Sequence, residues 1–189
     1  MKNIFNITVL LLFFSCKAQT IVDISTYNQG DNSNKYFKDI NNNYQNFIGT
    51  WENTNDNITF RLILWKETMV QNFADNNTFM DELKGRFLII QNAGLPNEVI
   101  LHNSVKYYSQ NGYTTNSVIT AFSSDGVSLG GTIDDNCSNG GVGILSGWLK
   151  MQIVNSGSTP LIANWSVKAS RLLNGESFTV PTNVVLTKQ

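Results

Sequence analysis

The sequence predicts a mainly β, antiparallel fold closed into a barrel of about eight to ten strands, with a β-sandwich as the alternative. Three observations carry this. Apolar and polar residues alternate with a period of two: in "NITFRLILWKE", Ile58, Phe60, Leu62 and Leu64 fall on one face, and Thr59, Arg61, Ile63 and Trp65 on the other. That is the pattern of a sheet with one packed and one wet face. Hairpin signals recur, with Asn111-Gly112 in "QNGY" and Asp125-Gly126 in "SSDGVS". The 26 asparagines among 189 residues disfavour helices and favour turns, because the amide competes for nearby backbone groups. Closure is preferred to an open sheet because it removes exposed strand edges.

The elements follow in order. "MKNIFNITVLLLFFSCKAQT" reads as an export signal, with Lys2 in the n-region and Ile4 to Phe14 as a short apolar h-region. It is shorter than the roughly 20 apolar residues of a permanent anchor. Two cleavage readings stand. "LFFSC" resembles a lipobox, with Phe13 where leucine is usual, and would leave a lipidated Cys16. Alternatively, Cys16-Lys17-Ala18 is a small-x-small site that leaves Gln19 first in a secreted protein. Residues 1–15 are thus expected to be a signal peptide, 16–35 a lipid-anchored tether containing "NQGDNSN", and 36–189 a single β domain. The expected location is the cell envelope, as an outer-membrane lipoprotein or in the periplasm.

In "NKYFKDINNNYQNF", Phe37, Ile40, Tyr44 and Phe47 recur at spacings of three, four and three, with Tyr36 opening the row, and predict a short amphipathic helix before the first barrel strand. "WKETMVQNFADNNTFMDELKG" reads either as strand, turn and strand or as containing a helical turn near Phe79 to Leu83. "GRFLIIQ", "EVILHN" and "SVKYYSQ" read as strands. Around the Asp125-Gly126 turn, Val127, Leu129 and Ile133 alternate with Ser128, Gly130 and Thr132. "SGWLKMQIVNSG" and "LIANWSVKASR" alternate similarly, and "FTVPTNVVLTKQ" closes the chain, with Pro181 at a bend or strand start. "NCSNGGVGILSG" is a Gly-rich connection.

Composition excludes some functions. A domain of this length buries enough surface to fold without metal or disulfide. The net charge is −1 and there is no basic block, which argues against nucleic acid. Cys137 is the only cysteine besides Cys16, and Asp134 and Asp135 beside it disfavour a thiolate. His102 is the only histidine, so triad and His-rich metal chemistry are not expected. Asp81-Glu82 and Asp134-Asp135 are adjacent pairs whose members point to opposite faces of a strand, so neither is a two-carboxylate site. "DDNCSNGG" lacks the glycine and terminal acid of a calcium loop, and "GGVGILSG" lacks the lysine of a phosphate loop. No metal or cofactor is expected. Trp65, Trp148, Trp165, Tyr107, Tyr108 and Tyr113 could line a cavity or a sugar-stacking face.

"NFIGTWENTND" places a Gly-x-Trp at the first barrel strand. This resembles the entry motif of lipocalin-type barrels, which implies a lipocalin-like barrel with one end closed by the indole of Trp51. Gly49 would allow a close backbone turn, and a late basic residue would lie over the ring. Arg171 is the first basic candidate and Lys188 the next. Through "SCKAQ", "YFKDINN…NFIGTWENTN" and "FTVPTNVVLTKQ", the chain is similar to a family of exported Bacteroidota proteins with no assigned activity. The expected function is non-enzymatic binding of a small apolar ligand or a cell-surface partner, with the membrane held through the N-terminal lipid. The alternatives are a glycan-acting enzyme with dispersed carboxylates and a structural interaction module.

Overall fold

The computed structural model describes residues 19–27, 30–72, 77–104, 106–108, 113–115, 117–135, 144–157, 159–172 and 177–189. Among the described residues there are thirteen strands: β1 (Thr20–Asp23), β2 (Lys35–Lys38), β3 (Gly49–Asn55), β4 (Ile58–Asn72), β5 (Thr78–Gln91), β6 (Val99–Asn103), β7 (Lys106–Tyr108), β8 (Tyr113–Thr115), β9 (Ile119–Phe122), β10 (Ser128–Asp135), β11 (Leu145–Ile153), β12 (Ile162–Ala169) and β13 (Asn183–Lys188). Eight of them form a closed antiparallel barrel in the order β3-β4-β5-β9-β10-β11-β12-β13, with β13 returning to β3. Each strand pairs with its neighbour in sequence. Only the excursion β6–β8 interrupts this meander.

The alternation expected from the sequence sets the inside and the outside. Leu145, Gly147, Leu149, Met151 and Ile153 of β11 are buried, while Ser146, Trp148, Lys150 and Gln152 are exposed. Phe60, Leu62 and Leu64 of β4 join Leu83 and Phe87 of β5, Leu129 and Ile133 of β10, Trp165 of β12 and Leu186 of β13 in one core. Aromatic rings fill the middle, with centroids 6.0 Å apart for Phe60–Phe87 and 5.8 Å for Phe60–Trp165.

Closure runs through a short ladder, Leu83↔Ala121, Lys84↔Thr120 and Gly85↔Ile119. It requires inward positions without side chains. A methyl group at Gly131 would lie 2.2 Å from the carbonyl oxygen of Thr120, and one at Gly85 would lie 2.5 Å from Leu64 Cδ2. One edge of β5 is covered in turn by β2, β9 and β6. In the stretch that read ambiguously, the described residues on both sides of 73–76 are strand, with Phe79 to Leu83 inside β5 and a register shift between Glu67 and Val70.

One end of the barrel is plugged by residues 39–48, where Tyr44 and Phe47 are fully buried. The helix expected here is not formed. Lys35–Lys38 is a strand paired in parallel with β5, and the rest is turns. Asn42 adopts a left-handed conformation (φ 56°), which asparagine tolerates and which ends any helix. The Asp39 carboxylate accepts from the Asn43 and Tyr44 amides, holding the reversal. Among the described residues there is no α-helix, only a 3₁₀ turn at Ile24–Thr26. The expected tether also needs correction. Thr20–Asp23 pairs with β2, and Ile24 is 2% exposed, so residues 20–26 belong to the folded unit.

Candidate ligand-binding site at the barrel mouth

The two barrel ends are built differently. At the plugged end, Trp51 is fully buried and its Nε1 donates to the Phe47 carbonyl at 2.8 Å. Lys188 is the register partner of Trp51. Its Nζ sits 5.7 Å from the indole centroid and donates to the carbonyls of Asn46 (2.8 Å) and Gln45 (3.4 Å). Burial lowers the Lys188 pKa. Gly49 has φ +122°, and a side chain there would meet Lys188 Cε at 3.3 Å. The structure therefore brings Gly49, Trp51 and Lys188 together.

Arg171 is not part of this arrangement. β12 begins beside the Trp51 end, where Ile162 pairs with Thr187, and runs away from it. Arg171 follows the far end of β12 and is exposed. The place expected for it is taken by Lys188, because only β13 delivers a basic residue in register with Trp51. Cys16 and Cys137 lie outside the described residues, as does the Asn111-Gly112 turn. β7 and β8 flank that turn as an antiparallel pair.

Beneath the plug lies a buried ionic cluster. Lys66 Nζ is 3.0 Å from Asp81 Oδ2 and 3.2 Å from Asp39 Oδ2. Tyr36 donates its hydroxyl to Asp81, and the amides of Asp39 (3.0 Å) and Met69 (3.3 Å) do the same. Burial pushes the Asp81 carboxyl up, but these donors and Lys66 outweigh it and hold the group below the ordinary carboxylate range. Burial and the Asp81 charge push the Tyr36 phenol up to about 12. This is where two carboxylates meet, and they meet across a lysine inside the protein rather than across a cleft. Of the other acids, Asp134 accepts from Ser146 and Asp135 is buried. His102 is half-buried against Phe87, 5.6 Å between ring centroids.

The other end is partly covered by the segment entering β13. Val180 is 2% exposed and Phe178 packs on the core. Asp135 holds the segment by accepting from the amides of Thr179 and Val180, and Trp165 Nε1 donates to the Pro181 carbonyl at 2.9 Å. Between this segment and the β3–β4 hairpin opens a cavity of about 380 Å³. Its walls are Phe60, Ile89 and Val184, and its rim includes Asn55, Asp56 and Asn57. The hairpin turn is sharp because Asp56 adopts a left-handed conformation (φ 53°), tolerated by aspartate.

The volume falls in the range of small-molecule sites, roughly 300–1,000 Å³. Phe60, Ile89 and Val184 suit an apolar body, and the Asn55 and Asn57 amides offer donors and acceptors to a polar end. Asp56 is the one acid among the described lining residues. The sequence reading had no ligand-contacting residue for this mouth. The available signal was Phe60 on the inward face beside the polar "TNDN" turn, and Pro181 just before the last strand.

This chain belongs to the family of unknown function DUF6705. The family's model matches residues 1–189. No curated protein and no solved structure matches the chain.

Proposed function

We propose that the protein is an exported, lipid-anchored, non-enzymatic binder that takes a small ligand with an apolar body and a polar end into the barrel mouth. The observation that carries the reading is the pairing of a plugged end with a cavity of about 380 Å³ at the other. The apolar floor is continuous with the core through Phe60, and the polar rim is neutral except for Asp56. Such a site orients an amphiphile by depth, with apolar atoms on Phe60 and polar atoms at the asparagine amides.

The test is titration with the amphiphilic fluorophore 1-anilinonaphthalene-8-sulfonate, followed by dye emission and by quenching of Trp165, whose ring touches Phe60. Val184→Arg and Ile89→Arg, both half-buried at the cavity, should weaken binding at least tenfold, while Arg171→Ala should leave it unchanged. Equal affinity across all four proteins would overturn the mouth as the site.

A second reading, a cell-surface partner, is favoured by one observation. Leu95, Val99, Ile100 and Leu101 are each about half exposed along one run at β6. Apolar exposure of this kind marks contact surfaces. Polar substitution of Val99 and Leu101 that leaves dye binding intact but abolishes attachment to cells would favour that reading.

A further inference from the structure

The outer wall carries a second concavity, far from the mouth in chemistry and in lining. A groove of about 280 Å³ lies over β5, β9, β10 and β11. Its aromatic members are Tyr27, partly buried and edge-on to Phe37, and Phe122 and Trp148, which are 44% and 61% exposed although they stand on well-formed strands. Its polar members are Glu82, Thr120 and Thr132. The Glu82 carboxylate lies 2.5 Å from Lys84 Nζ, which also donates to Thr120 Oγ1 at 3.0 Å. One wall is thus a fixed polar array and the other a pair of aromatic surfaces.

Gly131 lines the groove, and the register places Gly130 at its border, next to Phe122. On the outer face, Gly130 is paired with Phe122 on one side and Lys150 on the other. Its φ is ordinary, and an added Cβ would meet nothing within 4 Å. Neither backbone conformation nor packing calls for glycine there, and glycine inside a strand costs stability. Its effect is to leave the space beside Phe122, at the border of the groove, without a side chain. A glycine in a strand commonly marks close approach of a ligand.

We propose that this groove binds a pyranose ring of a glycan. A sugar ring has a C–H face that lies on an indole or phenyl surface and a rim of hydroxyls that need donors and acceptors. Trp148 and Phe122 supply the first, and Glu82, Thr120 and Thr132 the second, with Lys84 fixing Glu82 and Thr120 from behind. A protein partner needs about 800 Å² of matched surface on each side. Here the neighbouring outward positions are Lys150, Lys168, Ser146 and Ser166, so the aromatic patch is small and ringed by polar groups.

The test is saturation-transfer NMR with chitotriose, cellotriose and trigalacturonate. Transfer to the ring C–H protons of at least one sugar is expected, lost at least tenfold in Trp148→Ala and in Gly130→Gln. Both positions are open to solvent, so thermal unfolding should show the fold retained. Val184→Arg at the mouth should leave the sugar signal unchanged, which separates this site from the proposed amphiphile site. Absence of transfer to all three sugars, or undiminished transfer in both groove variants, overturns the proposal. So does concentration-dependent dimerisation abolished by Trp148→Ala, which would make a second copy of the chain the occupant.

Discussion

Replacing Lys66 with methionine removes the cation between two carboxylates while keeping most of the side-chain volume. Asp39 and Asp81 are 2% and 0% exposed in their side chains, and Lys66 is 22% exposed. Removing one partner of a buried pair costs about 3–5 kcal/mol, because the remaining charge stays desolvated. Here Asp81 keeps three other donors, from Tyr36, Asp39 and Met69, and Asp39 keeps the amides of Asn43 and Tyr44. The expected loss is therefore at the low end, about 3 kcal/mol. For a domain of this size that corresponds to roughly 6–12 °C in Tm. Urea unfolding followed by circular dichroism at pH 7 measures it. The pH dependence gives a second check. The folded-state pKa of Asp81 is depressed, so its contribution is fully present above the unfolded value of about 3.9 and fades as pH falls through the folded value. The wild type and the variant should thus converge in stability as pH falls below the unfolded value and through the depressed folded value of Asp81. A loss under about 1 kcal/mol at pH 7, or a gap that does not narrow in acid, would refute an ionised cluster held together by Lys66.

Further expectations concern the barrel itself. Trp51→Ala should cost about 3–5 kcal/mol by urea unfolding, since it empties the space above the plug. Lys188→Met should cost about 1–3 kcal/mol and should speed amide exchange in residues 43–47, where it holds the carbonyls of Gln45 and Asn46. Asp135→Ala should free the Thr179 and Val180 amides, costing about 1–3 kcal/mol and exposing the segment after Phe178 to limited proteolysis. Gly131→Ala should prevent the β9–β10 ladder from closing and leave little soluble folded protein, whereas Gly130→Ala should be neutral or stabilising.

Much of the barrel was legible because each of its strands reports its own inner face: Leu149, Met151 and Ile153 against Trp148, Lys150 and Gln152 is information contained in one strand. The segment 36–47 misled because Tyr36, Phe37, Ile40, Tyr44 and Phe47 fit a helix by spacing alone. In the structure Ile40, which a helical stripe would bury at its centre, is 53% exposed. What decides that segment is remote: Asp81 binds the Asp39 amide, and β5 pairs with β2. The same limit explains Arg171. A basic residue near the end of a late strand is visible in sequence, but which end of the barrel it reaches depends on strand direction and register. The mouth was least legible, since Asn55 and Thr179 come from opposite halves of the chain and neither belongs to an alternating run.

Strand direction has a consequence for the proposed anchor. β1 and β2 run alongside the start of β5, so the chain enters at the plugged end, near the β4–β5 turn, where Thr78 donates to the Asn32 carbonyl. Cys16 lies four residues before Thr20, a reach of at most about 14 Å. A lipid on Cys16 would hold the plugged end close to the headgroups and turn the mouth toward the aqueous side. Single cysteines placed at Gln45 and Asn57, both exposed and at opposite ends, test this in a Cys137→Ser background by maleimide labelling in membranes. Labelling at residue 45 should be slowed relative to residue 57 in the lipidated protein and equal to it in a soluble form beginning at Gln19. Equal rates in the membrane form would mean that the lipid does not orient the barrel, and the mouth would lose its outward aspect.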